Sequence, residues 1–260
     1  MLKWNLFLTT LPYVFGVVIV KEVLVHVVGF NGLIEFREVV MVLTGGIFLI
    51  GFMLAGTMSD YKESEKIPGE LASALESAED TMVQGIINAK DPSKIDLNEY
   101  RKSLYEVAKA IYDWLYKRIE QRKMYDTLNE FAIKMANLES LGVSGSAVGK
   151  VLGGDVNSIR KITTRLGVIS RTDFLATGYA LLEVLIACII CVLMTVHFQN
   201  TLSEVVITIF VCLIYFYMYR LICDVDDPFE YEDGQEAGVT EVPLFPVEEY
   251  MERLQSRIKD

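Results

Sequence analysis

The sequence predicts an all-α, polytopic membrane protein, with four transmembrane helices and a long cytoplasmic helical domain. Three observations carry this reading. Two apolar stretches lie before residue 60, and two more lie between about 173 and 223. About 110 charged, helix-patterned residues separate the two pairs. A block of six carboxylates within residues 224–233 follows the last apolar stretch directly. Because about 20 apolar residues cross a bilayer, the chain reads as two membrane hairpins with one polar side. The expected segments are a first hairpin at 1–59, a cytoplasmic helical domain at 60–172, a second hairpin at 173–223 and an acidic tail at 224–260.

The first span covers about residues 6–30 and is broken by Lys21-Glu22. Lys3 ahead of an apolar run imitates a signal peptide. No small-x-small cleavage signal follows, however, and apolar residues resume beyond Glu22, so a retained helix is expected. The second span, about 39–58, contains no charge. The third and fourth, about 174–196 and 202–222, contain Glu183 and Glu204. In the polar middle, Pro68 suits the first position of a helix that carries Leu71, Leu75, Ala78, Met82 and Ile86. Asp91-Pro92-Ser93 is a break, and Asp96 with Glu99 three residues on forms an N-cap signal. From Leu97 to Leu138 apolar residues recur at spacings of mostly three and four, and neither Gly nor Pro occurs before Gly142. That pattern predicts a single helix of about 45 residues, about 65 Å long, whose stripe needs neighbours. Residues 142–154 read as a glycine-rich connector, with Asp155 capping a further helix through Arg165.

Charge sets orientation and excludes partners. Residues 60–172 carry 17 basic and 17 acidic residues and are neutral, whereas residues 221–260 carry 12 acids against Arg253, Arg257 and Lys259. A tail that acidic repels phosphate and argues against nucleic acid. Of the two hairpin tips, 31–37 holds one basic residue and 197–201 holds none. Lys and Arg accumulate on the cytoplasmic side, so both termini and the middle are expected there. Cys188-Ile-Ile-Cys191 lies mid-span without basic neighbours and reads as packing rather than redox or zinc chemistry. Gly149-Lys150 makes no phosphate loop, because Ser144 stands where glycine is required and Val151 where Ser or Thr is. With only His26 and His197, and no nucleophile–base constellation, the inventory argues against an enzyme.

The chemistry then falls to a few positions. Thr44, Phe48, Phe52, Gly56 and Ser59 share a face of the second span, with Gly45, Gly46 and Gly51 close by. Such a face either packs against a neighbouring helix, since small residues permit close approach, or lines a pore with the phenylalanines as an apolar constriction. Periodicity alone favours packing. Asp60 and Glu63 continue the face past the membrane edge, where a symmetric oligomer would gather them into carboxylate rings. Intramembrane charge is costly and is usually paired or functional; Lys21 and Glu183 are the expected pair, while Glu204 is expected to reach water near its helix end. The acidic block, Asp224, Asp226, Asp227, Glu230, Glu232 and Asp233, offers closely spaced oxygens suited to Ca²⁺ or serves as a solvated linker. Asp227-Pro228-Phe229 favours a defined turn there.

These residues resemble the bestrophin family of ion channels. The order of two spans, helical middle, two spans and tail matches. Phe48-Leu-Ile-Gly51-Phe52 is similar to the family's neck segment, and Asp227-Pro228-Phe229-Glu230-Tyr231-Glu232-Asp233 is similar to its Asn-Pro-Phe and acidic run, the calcium clasp of animal members. The resemblance implies a homo-oligomer, a pentamer, in the lipid bilayer. Its second helices would line one pore for permeant inorganic ions, and its tail would wrap neighbouring subunits through a short docking helix at 246–258. The departures are Thr44 and Gly45 in place of the family's Ile-Pro, and Asp60 to Lys66 in place of an aromatic-rich exit. The resemblance implies chloride, whereas carboxylates at that mouth favour cations. The sequence reading is thus a bestrophin-like, passively conducting channel; the alternative is a non-conducting membrane scaffold that buries the phenylalanine face between its own spans.

Overall fold

The computed structural model describes residues 4–30, 32–171, 176–231 and 240–259. The chain divides into two compact units. The first holds residues 1–61 and 173–227, and the second holds 62–172 and 228–260.

The first unit contains four apolar helices, each long enough to cross a membrane. They are α1 (Asn5–His26), α2 (Phe36–Ser64), α8 (Ala176–Thr195) and α9 (Thr201–Asp226). Their core is built from Val14, Leu43, Ile50, Leu182, Ile189, Leu193 and Tyr215. Asn200 caps α9 by accepting from the Leu202 N–H at 2.9 Å. Two features differ from the sequence reading. First, α1 runs unbroken through Lys21-Glu22, because Lys21 is turned inward and partnered rather than exposed to lipid. Second, the hairpin tips form a two-residue parallel pairing, β1 (Ile34–Glu35) with β2 (Val196–His197). Gly32 at φ +75° allows that approach, since a side chain there would collide with the His197 backbone.

The second unit is a helical bundle of α3 (Ile67–Ile87), α4 (Leu97–Leu115), α5 (Gln121–Asn137), α6 (Gly145–Lys150), a π-helical turn (Val151–Val156), α7 (Asn157–Ile169) and α10 (Phe245–Lys259). Pro68 opens α3, and Leu71, Leu75, Ala78, Met82 and Ile86 are all buried along it. Asp96 caps α4 by accepting from the Asn98 N–H at 3.0 Å. The single 45-residue helix is not formed. The chain turns at residues 116–120, with Lys117 at φ 58°, and α5 folds back along α4. Four charged residues crowd the turn, Lys117, Arg118, Glu120 and Arg122. Only by doubling back can Leu104 and Ile111 on one side, and Leu128 and Phe131 on the other, leave water together.

The connector also differs from expectation. Residues 145–156 are helical, and Asp155 caps nothing: it sits inside the π-helical turn, accepting from Ser77 Oγ at 2.7 Å on Oδ1. Gly153-Gly154 lets the helix widen by one residue and continue instead of ending.

The tail helix, expected at 246–258, is α10. It packs on α3 and α4 of its own chain, through Val247, Tyr250 and Leu254. Glu79 of α3 is buried between Arg101 at 3.2 Å and Arg257 at 2.5 Å, tying three helices together. Burial, then the Glu79 charge, pushes the Tyr250 phenol up, so it stays a neutral donor to the Leu75 carbonyl at 3.3 Å. Pro228-Phe229 is a turn, as expected from Asp227-Pro228-Phe229. It is pinned by Tyr231, which stacks on Tyr116 with centroids 5.0 Å apart, and by the Val242 N–H donating to the Pro228 carbonyl at 2.8 Å.

Candidate functional site

Helix α2 is two-faced, and its faces decide the site. Val39, Leu43, Ile50, Met53 and Thr57, at spacings that step round one side of the helix, are buried. Gly46 belongs to this seam. A side chain there would overlap the Tyr215 hydroxyl, which donates to the Leu43 carbonyl at 2.7 Å. The opposite side is open. Phe48 is 76% exposed and Phe52 71%. Thr44 is exposed beside them, its hydroxyl donating to the Val40 carbonyl at 2.8 Å and so turning its polar end back on the helix. Gly56 is half-buried. A side chain added at Gly45 or Gly51 would meet nothing within 4 Å. The phenylalanine face is therefore not spent on packing within the chain.

At the end of α2, Asp60 and Glu63 are both exposed. Glu63 is held by Lys66 at 2.6 Å and by Arg165 at 3.7 Å, and Lys62 reaches Glu65 at 2.7 Å. The carboxylates at this end of α2 are thus interleaved with cations, and residues 60–66 keep one net negative charge from three acids and two lysines.

The intramembrane charges pair differently from the sequence reading. Lys21 is 1% exposed and does not meet Glu183. Its ammonium lies 3.4 Å from Glu204 and donates to the Leu193 carbonyl at 2.8 Å, with the Phe198 ring centroid at 4.2 Å. Glu204 is accordingly buried rather than in water. Burial of either charge alone would be prohibitive, so the pair must form inside. Glu183 instead accepts from the Tyr219 hydroxyl at 2.8 Å and lines an open cleft with Arg220. Sequence reasoning passed over Arg220, although it is the only basic residue in 202–222. His26 stands beside Glu22, at 3.1 Å, with its side chain largely exposed.

In the acidic block, Asp224 and Asp226 lie on the last turn of α9 with Asp227 at its C-cap, and Glu230 approaches Lys117 at 3.8 Å. Glu232 and Asp233 lie outside the described residues. Among the described residues, no three His, Cys, Asp or Glu side chains gather as a metal shell would require.

Four apolar helices and a helical bundle define the class: an all-α polytopic membrane protein. Within that class the fold is bestrophin-like. A bacterial bestrophin homologue from Klebsiella pneumoniae matches with a TM-score of 0.69 at 11% identity, over 100% of this chain and 99% of that one. A single-site variant of it matches with a TM-score of 0.76 at 11% identity over the same shares. A further membrane-protein structure gives 0.74 at 10% identity, over 96% of this chain and 99% of that one. No family model and no curated protein sequence matches the chain.

Proposed function

We propose that the protein is an oligomeric channel that conducts ions passively through a pore lined by α2, with Phe48 and Phe52 as its apolar neck. One observation carries this reading. The phenylalanine face is exposed in the protomer while the opposite face of the same helix is closely packed. Two large aromatic side chains and a threonine on an open helix face suit a symmetry axis, where copies of the chain would face one another around an apolar constriction. The bestrophin-like fold supports the same assignment, with a pentamer as the assembly and both termini cytoplasmic. A scaffold that buried this face between its own spans would not leave it open. The channel reading also needs no catalytic chemistry.

Two features act on selectivity in opposite directions. The resemblance points to chloride, whereas exposed Asp60 at the end of the pore helix attracts cations. Glu63 adds a second exposed carboxylate there, paired with Lys66 and Arg165. The proposal for calcium rests on the order of carboxylates in 224–233 alone, because those described do not form a shell.

Reconstitution of the purified oligomer into a planar bilayer with a KCl gradient tests the function. Current is expected from the native chain, altered in amplitude by Phe52→Ala. The sign of the reversal potential identifies the permeant ion, and Asp60→Asn shifts it away from the potassium potential. Silence from correctly assembled oligomers, with and without Ca²⁺, would return the protein to the scaffold reading.

A further inference from the structure

A second feature of the membrane unit lies away from α2. Helices α1, α8 and α9 enclose an open cleft of about 450 Å³ lined by Tyr13, Glu183, Ile186, Phe216, Tyr219 and Arg220, among others. Its walls are mainly apolar and aromatic, but it contains one cation and one anion. Among the described residues these two form no ion pair. Arg220 donates from Nη1 to Thr10 Oγ1 at 3.2 Å and lies 6.0 Å from the Tyr13 ring centroid. Glu183 accepts from Tyr219 through Oε1. A guanidinium has five donors in a fixed fork, and a single threonine hydroxyl uses one of them. An intramembrane guanidinium and carboxylate that share a cleft without touching leave room for a ligand carrying both complementary charges.

The level of the cleft narrows that ligand. Arg220 precedes Asp224, the first acidic residue after the span, by four residues, or about 6 Å along α9. Glu183 stands seven residues, or about 10 Å, beyond Ala176, the first described residue of α8. Both positions lie toward the same end of their helices, the end from which a lipid headgroup would reach into the bundle. Tyr13 of α1, 60% exposed, adds an aromatic wall with a polar tip. We propose that this cleft binds a phospholipid with a zwitterionic, primary-ammonium headgroup. The phosphate lies on Arg220 and the ammonium donates to Glu183, with the aromatic rings beside it. One acyl chain lies along Ile186 and Phe216. Charge complementarity selects this occupant: an anionic headgroup lacking an ammonium would place its negative charge near Glu183 unanswered, and a quaternary ammonium could not donate a hydrogen bond to the carboxylate.

Native mass spectrometry of the detergent-purified oligomer tests this, with phosphatidylethanolamine, phosphatidylcholine or phosphatidylglycerol added separately. Retention of phosphatidylethanolamine over the other two is expected. Arg220→Gln should weaken that retention about tenfold or more, the scale of one lost charge-assisted hydrogen-bond set. Arg220→Lys should restore part of it. Glu183→Gln should erase the preference over phosphatidylglycerol while leaving lipid binding itself. If Arg220→Gln fails to assemble, Tyr13→Leu serves in its place, since that ring is mostly exposed, and it should reduce retention in an oligomer of normal size. Equal retention of all three lipids, or retention unchanged in the assembled variants, would overturn the proposal. Absence of any bound lipid, as when a second copy of the chain covers the cleft, would overturn it equally.

Discussion

The Lys21–Glu204 pair makes a prediction that can be worked from distance. At 3.4 Å, the Coulomb attraction between unit charges is about 5 kcal/mol if the effective dielectric constant is about 20. That gain offsets the cost of taking two charges out of water, and the Leu193 carbonyl and Phe198 ring solvate the ammonium further. Glu204→Gln removes the offset but leaves Lys21 where it is, 1% exposed. The expected loss is about 3–5 kcal/mol, the range for breaking a buried pair from one side. Lys21→Met with Glu204→Gln removes both charges and should be less destabilising than the two single changes added together, by about 2 kcal/mol or more. Unfolding in mixed micelles titrated with a denaturing detergent, for the native chain, both single variants and the double, gives all four corners of the cycle. Additivity within about 0.5 kcal/mol would refute the reasoning, because charges that stabilise each other cannot be removed independently.

Two further predictions concern the α2 seam and the tail. Gly46→Val should lower the stability of the detergent-solubilised protein by about 1–3 kcal/mol, because the new side chain displaces Tyr215 from the Leu43 carbonyl. Gly45→Ala and Gly51→Ala, facing open space, should be neutral or stabilising by up to about 1 kcal/mol, as for helix-interior glycines elsewhere; equal losses at all three positions would contradict the two-faced reading of α2. If 224–233 binds Ca²⁺, calorimetric titration should show heat that Asp227→Asn and Glu230→Gln reduce; a flat titration of the native chain would remove calcium from the account.

What the sequence determined by itself are the features that depend on neighbouring residues. Hydropathy is a window property, so the four spans could be read to within a few residues, as could the Pro68 and Asp96 helix starts and the α10 segment. The phenylalanine face of α2 was also legible, because 3.6-residue periodicity places Thr44, Phe48 and Phe52 together whatever surrounds them. Which way that face turns was not: a packed face and an open one share one periodicity, and only the tertiary structure, seating Gly46 against Tyr215, leaves Phe48 and Phe52 exposed. The break at Lys117 was hidden for a related reason, since an apolar stripe continues in phase across a turn that carries neither glycine nor proline. The charges were least legible of all. Lys21 meets Glu204 across 183 positions of sequence, and Glu183 shares its cleft with Arg220 across 37. Such pairings are chosen by which helices pack side by side and at what depth, and the tertiary structure alone decides that.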